Sequence, residues 1–281
     1  MKKYVFFIFA VLFCLPALQA QVKGTAAVLR TQDGWEISAV YRPAEAEKPT
    51  VLLLHDVGKN KNEFTTFSGK LADNGIGYLA LDLRGHGASV NLGLYEDFAK
   101  EGVDNDYNKM TRDVDAAVAF LKNKKVPEEN MVLLGAGMGA NVAAKAASLW
   151  PAVGGVALIT PVTNFRDVLT IPALRVYKGN VFIAAAADDK KTFLEASLLR
   201  NVAFLSSGEG KVVFATAYDQ SGHALLDRWI APELIQWLLT PLRPEIKPDI
   251  LDLTVEQDPY GSYEPVAPSA TEEALVPSVL M

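Results

Sequence analysis

The chain has 281 residues, 50% of them hydrophobic and 21% charged, a globular composition long enough for one large domain or two small ones. Its formal net charge of −6 excludes nucleic acid as an expected partner, because phosphate binding needs clusters of Lys and Arg that the sequence does not show. An acidic balance alone selects no substrate.

The first 24 residues read "MKKYVFFIFAVLFCLPALQAQVKG". Lys2 and Lys3, an apolar run from Tyr4 to Leu15, Pro16 and a small residue at Ala20 follow the order of a secretory signal peptide, with cleavage expected after Ala20. A membrane anchor is the competing reading, but the run falls short of the roughly 20 apolar residues that span a bilayer. No membrane span is therefore expected after cleavage, and the mature protein is expected in the periplasm or outside the cell. Cys14, the only cysteine, lies in this segment behind a Phe13 too bulky for a lipid-attachment site. The mature chain then has no thiol, which excludes disulfides, cysteine catalysis and thiolate metal ligands.

After the signal, "AAVLRTQDGWEISAVYRP" alternates apolar and polar residues on either side of Asp33-Gly34, a hairpin pattern. Continuous apolar runs then recur: "VLLL" (51–54), "YLALDL" (78–83), "MVLLG" (131–135), "VALIT" (156–160), "VFIAAAA" (181–187) and "VVFATAY" (212–218). Runs apolar on both faces belong to strands covered on both sides, as in a parallel sheet. Between them "NKMTRDVDAAVAFLKNK" places Met110, Val114, Ala117, Val118 and Leu121 at helical spacing, and "GANVAAKAASLW" is small and apolar nearly all round. The alternation predicts an α/β domain over residues 21–240: a mostly parallel, doubly wound sheet with helices on both faces and an antiparallel hairpin at one edge. Its ligands would bind at the carboxyl ends of the strands. Beyond "PELIQWLLTPL", residues 241–281 hold seven of the 15 prolines and eight acids against two bases. An extended or disordered tail is expected there, able to dock a cell-envelope partner.

Five stretches at strand ends carry the chemistry: "HDVGKN" (55–60), "LDLRGHGAS" (81–89), the turn Gly135-Ala136-Gly137-Met138-Gly139, and the pair "AAADDKKTF" and "DQSGHALLDR" after the last two strands. In this order they resemble the α/β-hydrolase family, in its compact esterase and dienelactone-hydrolase-like members, over about residues 28–240. The resemblance implies an elbow G-x-S-x-G in which Gly137 stands in place of the nucleophilic serine. It further implies an acid at Asp189, with Asp188 as rival, a base at His223, and oxyanion donors at the backbone N–H groups of Val57 and Met138. Asp56 departs from the family pattern, which has glycine after the first histidine, a change that bears on the geometry of the first of those donors. No cofactor and no metal site are implied.

GAGMGA also meets a relaxed dinucleotide fingerprint at Gly135, Gly137 and Ala140. Such a fingerprint should open the first βαβ unit and precede an acid about 20 residues on, and this stretch does neither. Asp188 and Asp189 precede a helical pattern, so helix capping is an alternative role for both. His223 has the alternative of a surface loop, and His55 and His86 are expected to shape loops through backbone partners. Phe64, Phe67, Trp150 and Trp237 are expected in the core. Without the serine hydroxyl, covalent acyl transfer is not expected, and the site is left with binding a small molecule or peptide, or with water activated by His223. About 20 residues between "LIT" and "NVFI" leave no room for a large cap domain.

Overall fold

The computed structural model describes residues 24–218 and 222–240, the side chain of His223 excepted. The expected signal peptide and acidic tail lie outside these residues.

The chain opens with the hairpin β1 (Thr25–Arg30) and β2 (Glu36–Arg42), paired antiparallel in the register Leu29↔Ile37. Its loop closes through Trp35 N–H on Thr31 Oγ1 at 2.9 Å and Gly34 N–H on the Thr31 carbonyl at 3.1 Å, with Gly34 at φ +88°. Then follow β3 (Thr50–Leu54), α1 (Thr65–Asp73), β4 (Gly77–Leu81), a short α2 (Asp106–Lys109), α3 (Thr111–Asn123), β5 (Met131–Ala136), α4 (Met138–Leu149) and β6 (Gly155–Ile159). A two-residue hairpin, β7 (Asn164–Phe165) and β8 (Val168–Leu169), precedes α5 (Thr170–Val176), β9 (Asn180–Ala186), α6 (Lys190–Ser207), β10 (Val212–Ala217), α7 (Gly222–Leu225), a π-helical turn Leu226–Ile230, and α8 (Ala231–Leu239).

The main sheet has eight strands in the order β1-β2-β4-β3-β5-β6-β9-β10. From β4 to β10 all neighbours run parallel, while β2 meets β4 antiparallel and puts the hairpin at the edge. Strands β3 to β6 and β9 are buried on both faces, which is why their sequences are apolar without alternation. Alternate residues feed two cores. Leu52, Leu54, Leu133 and Leu158 face Val114 and Val118 of α3, Ala143 of α4 and Leu199 of α6; Val51, Leu53, Val132 and Leu134 face Phe67 and Leu71 of α1 and Leu234 and Leu238 of α8.

From β3 the chain steps one way to β4 and then crosses back to β5 on the other side. That reversal makes β3/β5 the topological switch point, where the loops leaving two adjacent parallel strands diverge and open a crevice. The loops concerned are residues 55–60 and the turn at Gly137.

Candidate active site at the switch point

The turn from β5 into α4 has one residue between strand and helix. Gly137 takes φ +52° and ψ −119°, a left-handed backbone that glycine enters freely and an L-residue enters only at a cost of order 1–3 kcal/mol. Its N–H donates to the Ile159 carbonyl at 3.0 Å and its carbonyl accepts from Ala140 N–H at 3.0 Å, so the turn is pinned to both the sheet and the helix. No side chain at Gly137 caps α4. The flanking glycines permit a close approach: a Cβ at Gly135 would overlap the Gly139 backbone, and one at Gly139 would overlap the Leu54 carbonyl.

The side chain over this turn comes from the loop after β3. Asp56 Oδ1 accepts from Met138 N–H at 2.8 Å and from Val57 N–H at 2.7 Å, the two donors expected of an oxyanion site. A Cβ built on Gly137 would overlap the Asp56 carboxylate, its carbon and both its oxygens. The rest of Asp56 is fixed as well. Its N–H donates to Glu63 Oε2 at 2.8 Å, and its carbonyl faces His55 Nδ1 at 2.7 Å. Met138 N–H opens α4, so the carboxylate also lies at the positive end of a 12-residue helix.

His55 is fully buried, and Leu83 N–H donates to its Nε2 at 3.0 Å. Nε2 is therefore the bare nitrogen, and Nδ1 carries the proton given to the Asp56 carbonyl. Burial, against the pull of that hydrogen bond, takes the imidazole down to about 4. His86 lies 4.9 Å from the His55 ring and stacks on Tyr95 at 4.2 Å, its Nδ1 2.9 Å from the Arg84 carbonyl. Both histidines shape loops through backbone partners.

Asp189 follows β9, but its carboxylate is the N-cap of α6. It accepts from Thr192 N–H at 3.2 Å and from Thr192 Oγ1 at 2.7 Å, and those bonds hold it below the usual carboxylate range. Asp188 is one residue earlier in the same loop. His223 is in α7, after β10, where the resemblance expects the base, and its side chain lies outside the description. The structure thus brings Val57, Met138 and Gly137 together and assigns Asp189 a capping bond. Asp56 is the residue whose place sequence reasoning missed, although its departure from the family pattern marks the position.

Ser89 is buried and donates to the Asp82 carbonyl at 2.7 Å, while Ser148, Ser206 and Ser207 donate to the carbonyls of Lys145, Leu174 and Tyr177. Among the described residues no group of three His, Cys, Asp or Glu is placed to hold a metal ion. The β7–β8 hairpin borders an open depression of about 420 Å³ lined by Lys100, Glu101, Asn164, Arg166 and Asp167, none of them a residue of the turn.

The sequence from 45 to 196 matches the family model Hydrolase_4, described as "Serine aminopeptidase, S33", a stretch that contains His55, Gly137 and Asp189 and ends before His223. No curated protein matches. Among solved structures, the esterase Pf2001 of Pyrococcus furiosus superposes with a TM-score of 0.61 at 17% identity, over 76% of this chain and 88% of its own. The esterase EaEST of Exiguobacterium antarcticum gives 0.58 at 15%, over 78% and 100%, and an acetyl xylan esterase of Paenibacillus sp. R4 gives 0.58 at 15%, over 76% and 82%. At such identities these likenesses speak for the fold. With more than half its length matched by the family model and its strands in this order, the chain belongs to the S33 serine aminopeptidase family of the α/β-hydrolase fold.

Proposed function

We propose that this chain is an exported hydrolase-fold protein that has lost serine acyl transfer and acts by binding, with Gly137 standing where the nucleophilic serine would be. The observation that carries the reading is the single carboxylate shared by both donors, Asp56 Oδ1 on Val57 and Met138 N–H. Removing the attacking hydroxyl alone would leave roughly 10³–10⁴ over water, supplied by the oxyanion donors and by substrate binding. Here those donors already hold a negative oxygen, so most of that remainder is forfeited too. The ligand of the strand-end cleft is then a small molecule or peptide, and the acidic tail is the element that would engage an envelope partner.

A second reading, hydrolysis by a water that His223 activates, is favoured by the family itself and by solved neighbours named as esterases. One experiment separates the two. Protein recovered by export from a secretion-competent host, with its N-terminus expected at Gln21, is treated with a fluorophosphonate probe and with p-nitrophenyl acetate. The expected result is no adduct by intact mass and no turnover above buffer. Turnover abolished by His223→Ala would establish the second reading, and an adduct on any serine would end the first.

A further inference from the structure

We infer that Asp56 is a built-in analogue of a bound acid product, and that a side chain at position 56 excludes one at position 137. This rests on the reading above that Gly137 marks the nucleophile position.

A carboxylate released by acyl transfer has one oxygen on the two oxyanion donors and its carbon over the elbow, close to the attacking side chain. Asp56 reproduces both features: Oδ1 on Val57 and Met138 N–H, and the carboxylate in the space that a Cβ of residue 137 would need. A local turn would explain only the bond to Val57, the next residue in sequence. The bond to Met138 spans 82 residues and gives α4 the capping acceptor that Gly137 lacks. Glu63 and His55 clamp the Asp56 backbone from either side, and the Val57 and Met138 N–H groups hold its carboxylate.

The two departures from the family pattern are therefore one exchange. With glycine at 56 the donors are open and the carboxylate that a Cβ at 137 would meet is gone; with aspartate at 56 the donors are filled, and a side chain at 137 has to push the carboxylate off them. It follows that an acyl carbonyl cannot reach the donors of the wild-type protein. It follows too that Gly137→Ser alone does not rebuild a hydrolase site, because the new hydroxyl and the old carboxylate claim the same volume.

The test is a cycle of four full-length proteins: wild type, Gly137→Ser, Asp56→Gly and the double variant. Serine at 137 is expected to lower Tm by about 5 °C or more in the wild-type background and by less than half as much beside Gly at 56. An equal loss in both backgrounds would overturn the exchange. A Gly137→Ser protein that does not fold beside a double variant that does is the same result in its strongest form. The second measurement needs no variant at 137: hydrogen exchange of the Met138 amide is expected to accelerate at least about tenfold in Asp56→Gly, and unchanged protection would overturn the inference. Fluorophosphonate labelling keeps the two readings apart. A wild-type adduct refutes the lost serine chemistry without touching the exchange, whereas additive Tm losses refute the exchange with the wild type still unlabelled.

Discussion

His55 and Asp56 are adjacent in the chain, and the hydrogen bonds each makes differ in kind. Asp56 gives its side-chain Oδ1 to two backbone N–H donors, Val57 and Met138. His55 has a single polarity it can accept: Leu83 N–H points at Nε2, so a second ring proton would meet another proton in a fully buried site. Its folded value of about 4 lies below the ordinary 6.5, with burial as the leading cause. A histidine depressed in the folded state takes its proton first in the unfolded chain, so its contribution to stability is complete above pH 6.5 and is lost as the pH falls toward 4. A shift of this size corresponds to about 3 kcal/mol. NMR titration should show the His55 ring neutral down to about pH 4, and the acid slope of unfolding free energy should flatten in His55→Asn. A ring that titrates near 6.5 would show that the Leu83 bond does not fix the tautomer.

At the scale of elements, β5, its one-residue turn and α4 behave as a single piece because the helix lies almost on the strands beneath it. Gly139→Ala would drive a Cβ into the Leu54 carbonyl, with a loss of about 3 kcal/mol expected by chemical denaturation. Gly69 in α1 is the control. Nothing lies within 4 Å of its missing Cβ, so Gly69→Ala should stabilise by about 0.5–1 kcal/mol, the helix-propensity difference. Equal effects at the two sites would mean that close approach is not what the elbow glycines serve. The strands around this piece were legible because burial on both faces leaves continuous apolar runs, and the fold followed from their alternation with helices. The β7–β8 hairpin was not. Its turn residues, Arg166 at φ +47° and Asp167 at φ +65°, hold left-handed conformations with no glycine or asparagine between the strands to announce them. The site was legible in part for a similar reason. The positions of Gly137, Val57 and Met138 at the strand ends could be read from the strand and helix pattern, and Asp56 from its departure, but its bond to Met138 depends on the sheet order that makes β3 and β5 neighbours.

For the whole molecule, that sheet order poses a problem at the far edge: the hairpin is antiparallel, half exposed, and must be fixed to a parallel body. Arg84, fully buried just beyond β4, supplies the link. Its Nε and Nη2 donate to Asp113 Oδ1 on α3 at 2.9 and 2.7 Å, its Nη1 donates to Asp33 of the hairpin loop at 2.8 Å, and its Cζ lies over the Trp35 ring, 5.5 Å from the ring centre. Arg112 also donates to Asp33, at 2.9 Å. Burial works against the Asp33 carboxylate, yet the bonds from Arg84, Thr31 and Arg112 together hold it well below the usual range. One guanidinium thus joins hairpin, sheet and helix, and its charge depends on two carboxylates from distant parts of the chain. Removing one partner should cost more than removing the whole arrangement, because a buried charge left half compensated is worse than none. Asp113→Ala is expected to destabilise by about 3–5 kcal/mol. Combining it with Arg84→Met, which removes the stranded charge and keeps most of the volume, should recover a substantial part of that loss. Denaturant melts of Asp113→Ala, Arg84→Met and the double variant decide the matter: if the double variant is less stable than Asp113→Ala by the full cost of Arg84→Met alone, the guanidinium holds the hairpin without help from Asp113, and the edge is anchored through Asp33 alone.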